Sequence, residues 1–265
     1  GVLISTLPLI TDIGVFGFRK SFESYPNRIY NIGILEQSTV SVAAGLSMTG
    51  LIPLIHTIAP FLVERCVEQL KDDFGYQKLG GNFVSVGASY DYAALGGTHH
   101  CPADVQILKS IPGMEIIIPG TAKEFDALLT STYSNGKPTY FRLSERENRE
   151  SYEVKFGEAH IVRKGSKGTI VVIGPALEAT LEASVDQDVT ILYYTTVTPF
   201  DMETLKNNCS SRKVLLVEPY YKGTLVPEII ETFKGEAVQI ETVGMPHEFL
   251  THYGKAEEHD VHLGL

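Results

Sequence analysis

Asn31-Ile32-Gly33-Ile34-Leu35-Glu36-Gln37 sets one carboxylate at the head of a segment, Ser38 to Met48, made largely of small and apolar residues. Within it Val40, Val42, Ala43, Ala44, Gly45 and Leu46 predict a helix buried on most of its faces. A glutamate at the mouth of such a helix is partly desolvated, which suits it to general acid–base work. The ordinary alternative is a residue that only complements the positive end of the helix dipole.

The flanking sequence supplies a frame for that helix. Upstream, Val2 to Leu7 reads as a short buried strand running into a Gly- and Phe-containing loop, Asp12 to Phe18, and Ile29-Tyr30-Asn31 as a second strand. Downstream, Ile52 to His56 reads as a third strand. An amphipathic helix follows, with Phe61, Leu62, Cys66, Val67, Leu70 and Phe74 on one side and Glu64, Glu68, Lys71 and Asp72 on another. Phe83 to Val86 and Glu115 to Ile118 are apolar runs closed by Gly or Pro, the form of parallel strands covered on both faces. A helical pattern from Thr121 to Tyr133 and a strand from Thr139 to Leu143 complete a βαβ series. The charged stretch Ser144 to Ser151 reads as a linker. Four further apolar runs, Thr169 to Gly174, Val189 to Tyr193, Lys213 to Glu218 and Val238 to Glu241, predict a second sheet. The expected architecture is α/β in two domains, 1–146 with a mainly parallel sheet and a smaller 147–265.

At 265 residues, 43% hydrophobic and 20% charged, the chain has the make-up of a globular protein with ample core. A formal net charge of −10 and the lack of any Lys/Arg block argue against a nucleic-acid partner. No apolar run approaches membrane-spanning length, and the first residues lack the pattern of a signal peptide. Cys66, Cys101 and Cys209 have no metal-ligand spacing and leave one over after pairing, so free thiols in a reducing cytoplasm are expected. The triplet His99-His100-Cys101 is a poor zinc site, because consecutive ligands fit a tetrahedron badly.

The order of motifs carries a resemblance. Asn31 and Glu36-Gln37 are followed by Gly50-Leu51-Ile52-Pro53, His56-Thr57-Ile58-Ala59-Pro60-Phe61-Leu62, Gly97-Thr98-His99-His100, Ile111-Pro112-Gly113-Met114 and Pro119-Gly120. This series resembles the pyrimidine-binding half of thiamine-diphosphate enzymes, in particular transketolase and 1-deoxy-xylulose-5-phosphate synthase, and the second half of the chain is similar to the transketolase C-terminal domain. The resemblance implies that Glu36 hydrogen-bonds the aminopyrimidine ring nitrogen, so that the cofactor can deprotonate its own thiazolium carbon. It implies that Phe61 stacks on that ring, with Ile58 where these enzymes usually have a second aromatic residue, and that His99 serves the substrate hydroxyls, with His100 as a second contact. Arg142 and Arg146 fall at the end of the last strand of the first domain, the edge at which open α/β sheets bind ligands. Arg146 could clamp a substrate phosphate bidentately, or both arginines could pair with Glu145, Glu147 or Glu150.

The family's diphosphate-binding half carries a Gly-Asp-Gly run with a downstream Asn, and no such run occurs here. The resemblance therefore implies the C-terminal section of a split transketolase. An N-terminal, diphosphate-binding partner subunit would hold Mg²⁺ or Ca²⁺, no metal would belong to this chain, and the assembly would be α2β2. The expected reaction moves a two-carbon ketol unit from a ketose, phosphorylated or not, to an aldehyde. The β subunit of a 2-oxoacid dehydrogenase and a pyruvate-using deoxyxylulose or branched-sugar synthase remain alternatives, as does a non-catalytic scaffold paralogue, against which Glu36 and His99 are both retained.

Overall fold

The computed structural model describes residues 6–265. The expected strand from Val2 lies, up to Ser5, outside the described residues, and the first strand seen is β1, Leu7–Ile10. The first sheet has seven strands in the order β10-β5-β6-β4-β3-β1-β2. Its members are β1, β2 (Tyr30–Asn31), β3 (Pro53–Ile58), β4 (Gly81–Val86), β5 (Glu115–Ile117), β6 (Pro138–Arg142) and β10 (Thr196–Thr198). Every pairing in it is parallel except that of β10 with β5. The second sheet runs β12-β11-β8-β9-β7. It comprises β7 (His160–Arg163), β8 (Thr169–Ile173), β9 (Thr190–Tyr194), β11 (Lys213–Tyr221) and β12 (Gln239–Met245), parallel except for β7 against β9. In β6, β8 and β9 every residue is buried, which is why these strands lack a regular polar–apolar alternation.

One core joins the two sheets. Leu9, Ile55, Phe83, Ile116 and Tyr140 of the first belong to the same buried cluster as Val171, Ile173, Leu192, Leu216 and Tyr220 of the second. β10 makes the connection covalent, because the chain leaves the second sheet after β9, adds an antiparallel edge to β5, and then returns as β11. Glu124 reinforces the joint, accepting hydrogen bonds from Gly120 N at 2.8 Å, Tyr152 N at 3.0 Å and Tyr193 Oη at 2.7 Å. Among the described residues, no helix is long and apolar enough to cross a membrane.

Two helices differ from the sequence expectation. The first runs Glu36–Met48, and of its side chains only Glu36, Thr39, Val40, Ala43 and Ala44 are buried. Gln37, Ser38, Ser41, Val42, Gly45 and Met48 form an open face, so the small, apolar character of this helix is not used up inside the chain. The second, expected as one amphipathic helix from Phe61, is broken into Ala59–Leu62, Val67–Gln69 and a π-helical segment Leu70–Tyr76. Val63 to Cys66 between the first two form turns, which frees Arg65 from a helical register.

Candidate active site

Strand order places the site. From β1 the chain steps outward to the edge strand β2, whereas β3, β4 and β6 lie on the other side of β1, so the topology switches direction between β1 and β3. Open parallel sheets leave a crevice beyond the carboxyl ends of the strands at such a point. The loops there are built from Thr11 after β1, the Glu36 segment after β2, and Phe61 after β3. Thr11 Oγ1 donates to Thr57 Oγ1 at 2.8 Å, tying the first and third of these. Asn31 ties the first and second: its Oδ1 accepts from Asp12 N and Gly33 N, each at 3.0 Å, while its Nδ2 donates to Asp12 Oδ1 at 2.7 Å. Gly33 turns the chain at φ +84°, where a side chain would be strained, and three residues later Glu36 enters the helix.

Glu36 is 2% exposed. Its Oε2 accepts from Arg65 Nη1 at 2.6 Å, and its Oε1 is buried without a hydrogen-bond partner. An unsatisfied buried carboxylate oxygen is costly, so this atom marks a position built for a donor. Arg65 also lies over the ring of Phe61, its Cζ 4.3 Å from the centroid, and His99 packs edge-on against the same ring at 5.3 Å between centroids. Thr98 Oγ1 is 3.0 Å from His99 Nδ1 and steadies the imidazole. Ile58, 6% exposed, ends β3 beside Gly87, whose φ of +73° and tight neighbours, Tyr92 and Ile58, leave no room for a side chain. Beneath Phe61, Cys66 Sγ contacts its carbonyl oxygen at 3.2 Å. Burial, with Glu36 nearby, pushes that thiol up to about 12, so it stays protonated and unreactive.

Glu36, Phe61 and His99 thus come together around Arg65, Ile58 ends β3 against Gly87, and the other three expected site residues go elsewhere. Arg142 lies in the interior: it is 1% exposed, its Nε donates to Asp104 Oδ2 at 2.7 Å and its Nη2 to Ser89 Oγ at 2.8 Å. Burial works against its charge, but Asp104 together with Tyr140 and Asp91 outweighs that and lifts the guanidinium above its ordinary value. Its Nε and Nη2 are committed to the interior. Arg146 is spoken for by a partner on another element, with both Asp260 oxygens within 2.9 Å of Nη2, rather than by the neighbouring glutamates. His100 diverges from His99, being 6% exposed and packed edge-on against His259 at 5.6 Å. Arg65 is the site residue sequence reasoning missed. Its position one turn after Phe61 was the only signal, and its partner Glu36 is 29 residues away.

His100 opens onto a histidine cluster that holds the C-terminal helix, Ala256–Leu263, over the Gly96 to His100 loop. His259 Nδ1 is 2.9 Å from His252 Nε2, and His252 packs on His262 at 5.0 Å. Burial first, then neighbouring histidines, lowers the pKa of both His100 and His259. Facing charges are mixed: His99, Asp260, Glu258 and Arg146, with Tyr90 donating to Asp260 at 2.5 Å. A lowered folded-state value means stability that is full above the unfolded value of 6.5 and lost as pH falls through the folded values. Amide protection factors in 249–263, referred to the intrinsic exchange rate at each pH, are therefore expected to fall on acidification below 6.5, ahead of those in β3 and β4. Protection factors in that segment that stay constant across the same range would contradict this.

Among the described residues no group of three or more His, Cys, Asp or Glu side chains is placed to hold a metal ion. Compared with known proteins, residues 14–150 match the family "Transketolase, pyrimidine binding domain". An uncharacterized 33.6 kDa protein of the fasciation locus of Rhodococcoides fascians is 37% identical over 262 residues, 97% of this chain and 84% of that protein. An apulose-4-phosphate transketolase subunit of Actinobacillus succinogenes is 29% identical over 242 residues, 86% of this chain and 78% of its own. The solved structure of a split-gene transketolase in an inactive β4 tetramer shares the fold, with a TM-score of 0.85 and 24% identity over 99% of this chain and 88% of that one. The chain belongs to the transketolase family, as the section that carries the pyrimidine-binding domain and the domain C-terminal to it.

Proposed function

We propose that this chain is the catalytic-glutamate subunit of a split, thiamine-diphosphate-dependent transketolase that moves a two-carbon ketol unit from a ketose to an aldehyde. The observation that carries the reading is Glu36: a 2%-exposed carboxylate at a sheet switch point, with one oxygen lacking a partner, beside the half-buried aromatic ring of Phe61. Thiamine diphosphate, when bound, supplies a carbon nucleophile and an electron sink for carbon–carbon cleavage. The residues present fit its aminopyrimidine ring. Glu36 Oε1 would hold the proton at the ring nitrogen, Phe61 would offer a face worth about 0.5–1.5 kcal/mol of stacking, and Ile58 would close the dry side. His99, fixed by Thr98, would give a proton or hydrogen bond to a substrate oxygen. Arg146 reaches an anionic substrate end only by giving up Asp260, and Asp91 and Glu145 stand close to it.

A second polypeptide is part of the reading. Ile34 and Leu35, 67% and 58% exposed, precede Glu36, and Val42 and Met48, 47% and 67% exposed, carry an open apolar face along the helix it begins, a surface for a partner to cover. The missing Gly-Asp-Gly run leaves the diphosphate and its divalent ion, Mg²⁺ or Ca²⁺, to that partner. The relatives that are themselves named as single subunits of an apulose-4-phosphate transketolase support the same division, and α2β2 is the assembly we assign.

The test is calorimetric titration of thiamine diphosphate with Mg²⁺ into this chain, into a Gly-Asp-Gly partner, and into their mixture, followed by assay with ketose donors and aldehyde acceptors. Binding and ketol transfer only in the mixture are expected; no binding in the mixture overturns the reading, and turnover with pyruvate but no ketose reassigns the reaction. In the working complex, His99→Ala is expected to lower kcat/KM for the ketose by about 10²-fold while the Kd of the coenzyme stays within about twofold. A coenzyme Kd that rises in step with the lost activity would remove His99 from the substrate side.

A further inference from the structure

We propose that Arg65 is a built-in occupant of the aminopyrimidine position, a flat cation that bridges Glu36 and Phe61 until the coenzyme displaces it; the inference rests on the coenzyme reading of the site given above. The guanidinium donates to Glu36 Oε2 at 2.6 Å and lies over the Phe61 ring at 4.3 Å. A planar ring that hydrogen-bonds Glu36 through Oε1 and stacks on Phe61 competes with the guanidinium for the face of Phe61 beside that carboxylate. Guanidinium and aminopyrimidine share the features this space selects: both are flat and delocalised, and both present N–H donors at the edge. The side chains differ in burial, 40% exposed for Arg65 against 2% for Glu36, so Arg65 reaches down from solvent and can swing out without disturbing the core.

The backbone allows that movement. Arg65 lies in the turn segment between the helices Ala59–Leu62 and Val67–Gln69, anchored by Arg65 N donating to Pro60 O at 3.0 Å. The contact also answers a need of the unliganded chain. A buried carboxylate without a cation or donors is strongly unfavourable, and among the described residues Arg65 is the one ion-pair partner Glu36 has. Occupancy therefore stabilises the empty subunit and opposes the coenzyme. If the slot is open for only a fraction of the time, the apparent Kd is the intrinsic Kd divided by that fraction.

Arg65→Ala and Arg65→Gln test this in the complex with the Gly-Asp-Gly partner and Mg²⁺, read by coenzyme Kd, coenzyme association rate, and the Tm of this chain alone. The gate requires effects of opposite sign. Both variants are expected to lower the Tm of the isolated chain, and both to bind thiamine diphosphate at least about fivefold more tightly, with a parallel gain in association rate. A residue that merely positions Glu36 would instead weaken coenzyme binding when removed. Equal or weaker binding by both variants, with the wild type binding normally, overturns the gate and leaves the coenzyme reading intact. Failure of wild type and variants alike to bind removes both. Arg65→Gln keeps a polar side chain but is uncharged and about two atoms shorter, so it vacates the slot while offering a folded variant should Arg65→Ala not survive expression.

Discussion

Glu36→Gln is expected to lower kcat for ketol transfer in the reconstituted complex by about 10²–10⁴-fold, the range that general acid–base catalysis contributes. The amide has the same shape, and its oxygen can still accept from Arg65 Nη1, which now meets Oε2 at 2.6 Å. The fold and the slot should survive, so the Tm of the isolated chain and the assembly with the partner serve as controls. What the amide cannot do is carry a proton at the atom that is now unpartnered, Oε1. Retention of more than about a tenth of wild-type turnover, with coenzyme bound, would sink the assignment of Glu36 as the proton-holding residue. The same variant bears on Arg65. With a neutral partner the guanidinium loses its ion pair, so in Glu36→Gln the coenzyme association rate should rise even as turnover falls.

How much of this was legible beforehand depended on whether a feature is local. Apolar runs located β3 to β6, β8 and β9 within a few residues, because a doubly covered parallel strand has no polar face to mislead, whereas β11 and β12, which alternate in burial or stand half-open, were found only in their first halves. β10 was missed: Thr196–Thr198 is three residues long, and only pairing with β5, remote in sequence, makes it a strand. The helix at Glu36 was readable in extent but not in exposure, since small apolar residues read alike whether covered by their own chain or left open. Phe61 and His99 were found through ordered motifs and do meet, 5.3 Å apart. Arg65 could not be found that way, because its partner is fixed by a crossover between loops of β2 and β3 and not by spacing. The histidines His252, His259 and His262 formed no visible pattern for the same reason, as they join His100 only when the C-terminal helix folds back.

Arg142 shows the reverse error, a charge at a strand's carboxyl end that serves the interior. The strand-end position suggested a ligand contact, yet Arg142 is 1% and Asp104 0% exposed. Asp104 Oδ2 also accepts from Tyr140 Oη at 2.8 Å, Oδ1 accepts from Val105 N at 3.0 Å, and Ser89, which receives Arg142 Nη2 at 2.8 Å, donates onward to Pro219 O of β11. The network therefore ties β6 to the second sheet. Removing one member strands the other charge in a dry interior, which typically costs about 3–5 kcal/mol. At about 2–4 °C per kcal/mol for a chain of this size, Arg142→Ala should lower Tm by roughly 6–20 °C. Arg142→Lys should recover only part of that loss, because an ammonium cannot serve Asp104 and Ser89 with the guanidinium's fork. The double variant Arg142→Met/Asp104→Leu should regain most of it by removing both charges together. Below its melting temperature, each folded variant should keep wild-type coenzyme affinity and ketose KM. Were Arg142→Ala to raise the ketose KM at unchanged Tm, the arginine would belong to the substrate after all, and the tie between the two sheets would rest on the shared core, β10 and Glu124.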